Sequence, residues 1–167
     1  MVKLFTTTAT ATDTSQPASI ESVAVILTRC KTSLVEDWLA RTKKTPELNH
    51  LHLSDNERTG HLSKLIGDLV ARLDRPRSAD IQSDAIPSLA AAEHGKLRRM
   101  LGYSSGMLVH ESRILQVSTF GTLQKNLRRL DFDLLLPDVM IIADEVDAQL
   151  TQTLDAFEKA GAKSTVA

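Results

Sequence analysis

The chain has 167 residues, 42% hydrophobic and 25% charged, enough for one domain whose core needs neither disulfide nor metal. A formal net charge of −1 gives no overall pull toward nucleic acid or anionic lipid. The single cysteine, Cys30, excludes an internal disulfide, and no apolar run approaches the roughly 18 residues that a membrane-spanning helix needs; both features point to a cytoplasmic protein.

Residues 1–17 hold a threonine-rich run, Thr6 to Thr12, with neither an apolar period nor the apolar stretch of a signal peptide. They read as a disordered leader before one helical domain over 18–159 and a flexible tail over 160–167. The first helix is expected from Ala18 to Lys44, because Ile20, Val23, Leu27, Cys30, Leu34 and Trp38 recur at spacings of three and four. Cys30 on that stripe reads as a buried, inert thiol and Trp38 as a core residue. Pro46 stops the helix, since the residue before a proline is pushed out of the α region. The second helix opens on Ser54-Asp55-Asn56-Glu57, a capping box, and runs with Leu62, Leu65, Ile66, Leu69, Val70 and Leu73 on one face until Pro76. A connector over 75–87, with room for a helical turn near Ala79–Gln82, leads to a third helix over Ser88–Leu101 that stops at Gly102.

A fourth helix is expected from Ser104 to about Arg129, with Met107, Ile114, Val117, Phe120, Leu123, Leu127 and Leu130 as its stripe. Gly106 and Gly121 weaken it and are expected to admit a neighbouring backbone. The fifth starts near Asp131 or Asp133, kinks or restarts at Pro137, and continues to Lys159. The expected fold is all-α: about five helices, globin-like or bundled, the first and last of them long. Charge divides unevenly. Residues 94–129 carry seven Lys or Arg against Glu111, and residues 131–158 carry eight acids with no Lys or Arg. Such an acidic helix repels its own copy unless an apolar seam or a basic partner compensates.

The residues that could carry chemistry give no catalytic constellation. His50, His52 and His61 fall close in sequence, but without a cysteine or an H-x-x-x-H pattern they do not make a metal site. His94 and His110 sit on helices, yet four Phe, one Tyr and one Trp are few for a haem pocket, so no cofactor is expected. Ser104-Ser105-Gly106 reads as a helix start rather than a nucleophile elbow. Asp144, Glu145 and Asp147 read as a solvated face. Lys96, Arg98 and Arg99 have no interleaved aromatic residue, which argues against a nucleic-acid interface. Phosphate-loop, dinucleotide and H-E-x-x-H motifs are absent from the sequence.

From His94 onward three stretches belong together: His94-Gly-Lys-Leu-Arg-Arg-Met-Leu-Gly-Tyr103, Leu108-Val-His-Glu-Ser-Arg-Ile-Leu115, and Asp144-Glu-Val-Asp-Ala-Gln-Leu150. With Trp38, this resembles the RsbRD-type N-terminal sensory domain, across roughly residues 20–158. In that family a His and an Arg precede a Gly-aromatic break, followed by a Leu-Val-x-Glu helix. The resemblance implies a globin-related input module without haem that dimerises. It would pass its signal along the last helix to an output module, either a histidine kinase or a stress-response STAS or anti-sigma-type protein. Gly102 and Tyr103 would serve a turn, and Glu111 would pair with Arg98, Arg99 or Arg113 or contact a signal. The ligand-binding candidates are His94, Arg98, Tyr103, His110 and Glu111. The expected dimer seam is Val146, Leu150, Leu154 and Phe157. The alternative reading is a stand-alone helical protein that binds a small ligand or a metal.

Overall fold

The computed structural model describes residues 19–76 and 86–164, so the expected leader and the turn near 79–82 lie outside the described residues. Within them the chain is all-α, its only β feature an isolated parallel bridge between Glu21 and Leu130. The helices are α1 (Val23–Arg29), α2 (Lys31–Lys44), α3 (Pro46–Asn49), α4 (Asp55–Thr59), α5 (Leu62–Leu73), α6 (Leu89–Met100), α7 (Ser105–Lys125) and α8 (Phe132–Ser164). None is long and apolar enough to cross a membrane.

The segments outnumber the expected five because two expected helices break and a short extra helix, α3, forms between them. The first divides at Cys30, which ends α1 and opens α2. The apolar period Leu27–Cys30–Leu34 passes through that break undisturbed, so spacing alone cannot reveal it. The second divides at Gly60 and His61, where Gly60 caps α4. The capping box ahead of it forms as expected: Glu57 N–H donates to Ser54 Oγ at 3.3 Å, and Ser54 N–H donates to Glu57 Oε2 at 2.8 Å. Pro46 does stop α2, and it also starts α3, because a proline at the first helical position needs no N–H. Gly102, at φ 81°, follows α6 in the left-handed conformation that glycine adopts without strain.

α7 ends before Arg129, the chain turning instead through a 3₁₀ segment at Leu127–Arg129. α8 runs as one helix through Pro137 and beyond Lys159, which corrects both the expected restart and the expected tail at 160–164. The amide bond that Pro137 forfeits lies near the start of this long helix, where Leu135 and Val139 pack against the core.

The main core gathers residues such as Leu27, Leu34, Trp38, Ile66, Leu115 and Ile142 from α1, α2, α5, α7 and α8. A second cluster joins Leu48, Tyr103, Met107, Leu108 and Phe157. Ile20 and Val117, expected on apolar stripes, face solvent. The residues of the expected dimer seam also make contacts within the single chain. Val146 belongs to the main core, while Phe157, Leu150 and Leu154 belong to the second cluster. The C-terminal half of α8 spends these side chains on its own bundle.

α6 and α8 make the closest approach in the fold. A Cβ on Gly95 would stand 2.1 Å from the carbonyl oxygen of Thr153, and Thr153 Oγ1 donates to the Ala91 carbonyl at 3.1 Å. The glycines expected to play this part do not: a Cβ on Gly121 would meet nothing within 4 Å, and one on Gly106 only Ser104 Oγ at 3.8 Å. Gly95→Ala is therefore expected to destabilise the fold by about 1–3 kcal/mol through overpacking. Gly121→Ala should stabilise it by up to about 1 kcal/mol through helix propensity. Urea denaturation of the two variants checks both signs.

Candidate functional site

The buried polar residues of the bundle converge on one ion pair. Arg98, on α6, is 0% exposed and Glu111, on α7, is 3% exposed. Glu111 lies on a helical face whose sequence neighbours are apolar: Met107 and Leu115 flank it at four-residue spacing and are themselves buried. The pairing is bidentate. Arg98 Nε donates to Glu111 Oε2 at 3.0 Å, and Nη2 lies 3.0 Å from Oε1. Tyr103, placed by the turn at Gly102, donates its hydroxyl to Oε1 at 2.8 Å, and its ring receives the guanidinium at 4.7 Å.

The remaining donors of Arg98 hold the corner between α4 and α5. Nη1 donates to the Glu57 carbonyl and Nη2 to the Arg58 carbonyl, both at 2.8 Å, which satisfies the open C-terminal end of a short helix. Nη2 also lies 3.3 Å from His61 Nδ1. The two hydrogens of Nη2 already serve Glu111 Oε1 and the Arg58 carbonyl, so the His61 contact is a long, secondary one. The His61 ring stacks on that of His94, with centroids 3.7 Å apart and planes within 15°. His94 Nε2 lies 3.2 Å from Glu111 Oε2, the distance of an N–H given to the carboxylate. That tautomer leaves His94 Nδ1 bare, and it is buried without a protein partner. Trp38 closes the site from α2: its edge meets His61 at 5.9 Å, and its Nε1 donates to the Glu111 carbonyl at 3.2 Å. Arg58, also buried, turns its own guanidinium the other way and ties the Leu48, Leu51 and Leu53 carbonyls.

Of the five ligand-binding candidates, His94, Arg98, Tyr103 and Glu111 meet in this network. His110 does not: it lies half-buried on another face of α7. His61 parts from His50 and His52, which are exposed, and its place beside His94 was not legible. Among the three arginines that could pair with Glu111, the structure selects Arg98. Arg99 instead covers the Phe157 ring at 4.9 Å, and Arg113 is exposed. The basic cluster 96–99 therefore does not form one face.

His61, His94 and Glu111 offer donor atoms within 4.8 Å of one another, the spacing of a metal site. Two features oppose that chemistry. Both Glu111 oxygens already serve Arg98, whose charge sits where a metal ion would. A metal lies in the plane of each ligating imidazole, and the planes of two nearly parallel stacked rings meet only beyond bonding distance of both. Beside the network lies a cavity of about 30 Å³ lined by Trp38, His61, His94, Ser112 and Gln149 among others. It has room for about one water molecule. No protein-family model, curated protein or solved structure matches the chain.

The electrostatics follow from burial. It drives the His61 imidazole well below its ordinary value, helped by His94 and Arg98. It also lowers His94, which the Glu111 carboxylate only partly resists. Burial raises Glu111, but the His94 hydrogen bond and the Arg98 charge outweigh it and leave the carboxyl below the usual range. Tyr103 is raised, by burial first and then by Glu111.

All three groups lowered in the folded state bind fewer protons there than in the unfolded chain. Stability is therefore full above pH 6.5 and falls as the pH drops through the histidine range, with a further loss below 4.5 as Glu111 follows. Between pH 7.5 and 5.5 the two histidines should remove roughly 1–3 kcal/mol. Equal urea midpoints at the two pH values would show that the rings are not held neutral. Removing one partner of the central pair, by Arg98→Met or Glu111→Leu, is expected to cost about 3–5 kcal/mol. The double variant should lose less than the sum, as a double-mutant cycle reads.

Proposed function

We propose that the chain is a non-catalytic signal-input domain acting in the cytoplasm, and that the buried network centred on Arg98 and Glu111 is its responsive element. One observation carries this reading: an ion pair with two neutral imidazoles occupies the centre of a small bundle. Apolar side chains of similar volume fill such a space at least as stably, so a buried charge network is weak evidence for stability and better evidence for a specified, switchable state. The resemblance to RsbRD-type sensory domains supports the reading too. The residues on which that likeness rests, His94, Arg98, Tyr103 and Glu111, are the ones that meet.

The network also offers a route outward. It ties α2, the α4–α5 corner, α6 and α7, and Gly95, next to His94, seats α6 on α8. A rearrangement at His94 or Glu111 would alter that seat and hence α8, the helix from which an output partner of histidine-kinase, STAS or anti-sigma type would read the signal. A stand-alone ligand-binding role has less behind it, since the cavity touching His94 holds about 30 Å³.

Glu111→Gln keeps the shape and removes the charge. Placed at the native locus, it should fix stress-responsive transcription in one state, on or off, while protein levels stay normal by immunoblot. If the wild type, the deletion and Glu111→Gln give the same genome-wide transcription under every stress applied, the input reading is wrong.

A further inference from the structure

The central network leaves one atom unused. His94 is 5% exposed, and among the described residues its Nδ1 has no hydrogen-bond partner. Nε2 is already held 3.2 Å from Glu111 Oε2, so a second proton can enter the ring only at Nδ1. The ring lines the cavity of about 30 Å³, and α8 contributes Gln149 and Thr153 to the same wall. Both side chains are buried, and both have given their hydrogens away. Gln149 Nε2 donates to the Leu65 carbonyl at 3.1 Å and to Glu145 Oε1 at 2.9 Å, and Thr153 Oγ1 donates to the Ala91 carbonyl at 3.1 Å. What α8 offers the cavity is therefore lone pairs. Ser112 shares the wall but does not bond Nδ1. While His94 is neutral, one water molecule has two hydrogens for three acceptors: Nδ1, Gln149 and Thr153. Once Nδ1 carries a proton, the same water accepts one bond and donates to both α8 side chains.

We infer that the signal this network takes is a single proton, bound at His94 Nδ1, and that Gln149 and Thr153 carry its effect to α8. The charges around the ring set the count at one. Glu111, from α7, favours the imidazolium. Arg98, on α6 with His94, opposes it, but its charge is shared with that same carboxylate at 3.0 Å. Tyr103, on the following turn, gives its hydroxyl to Glu111. α4 turns the Arg58 guanidinium away, toward the Leu48, Leu51 and Leu53 carbonyls. α2 presents the neutral indole of Trp38, and α8 presents neutral Gln149 with Glu145 behind it. His61 stacks on His94 at 3.7 Å and lies 3.3 Å from Arg98 Nη2, so a second proton on that ring would meet two positive charges. Burial holds the uptake below the ordinary imidazole value of 6.5. The inference rests on the signal-input reading, yet the two fail separately. A ring that takes no proton leaves the Glu111→Gln transcription test standing, and flat transcription leaves the proton site standing.

NMR of the full chain with ¹⁵N-labelled histidine, from about pH 7.5 to 5, reads each ring nitrogen directly. His94 should take a proton at Nδ1 below pH 6.5 while far-UV CD stays native and His61 stays neutral. The backbone amides of Gln149 and Thr153 should shift with the same midpoint. Gln149→Met keeps the bulk and removes an acceptor, and should lower the proton affinity of His94 at least about threefold. Glu111→Gln removes the favouring charge and should lower it at least about tenfold. A His94 ring that stays neutral until the chain unfolds overturns the inference. So does a protonation that leaves the α8 amides unmoved, or wild-type proton affinity in both variants.

Discussion

The bundle is organised around a carboxylate that cannot be left alone. Glu111 is buried, and an unpaired charge there would cost several kcal/mol, a large part of the stability of a small domain. Its oxygens therefore recruit the Arg98 guanidinium, the Tyr103 hydroxyl and the His94 ring, and its carbonyl takes the Trp38 indole. Arg98 in turn uses its remaining donors on the carbonyls that end α4. Each of these groups is satisfied only when the others are present. The consequence is cooperative placement of α2, α4, α6 and α7, segments whose apolar contacts alone would tolerate small slips.

The contrast between the two ends of α8 follows from side-chain size. Toward its C-terminus the helix meets α6 through small groups, Ala91, Gly95 and Ala156, so the backbones approach until a single methyl group would not fit. A carbonyl at Thr153 pressed against a glycine leaves no play, and the helices move together or not at all. Toward its N-terminus α8 carries larger side chains, and Phe132, Leu136 and Met140 are exposed among the described residues.

Much of the fold could be read from the sequence because its causes are local. The capping box at Ser54, the proline stop at Pro46 and the glycine after α6 each act within a few residues. The break at Cys30 was not legible, since the spacing Leu27–Cys30–Leu34 runs through it, and the break at Gly60 precedes the apolar stripe, which begins at Leu62 and carries no sign of it. The site was half legible. His94, Arg98, Tyr103 and Glu111 lie within eighteen consecutive positions, and a helix pair joined by a short turn must bring them close. Glu111 also stands where the Met107–Leu115 face calls for a hydrophobe, a signal that a charge is going inside. His61 gave no such clue. Its neighbours His50 and His52 are exposed, and only the tertiary meeting of α5 with α6 reveals that it stacks on His94. The glycine that matters was hidden for the same reason: Gly95 and Gly121 look alike in sequence, and only the position of α8 distinguishes them.

The chain has one tryptophan, and its indole edge rests against His61. A charged imidazole quenches indole emission far more strongly than a neutral one does. The core thus contains its own optical gauge: the brightness of Trp38 registers whether the ring beside Arg98 is charged, without any label. The geometry that makes this indole a bonded strut of the bundle also makes it a witness to the charge state of the centre.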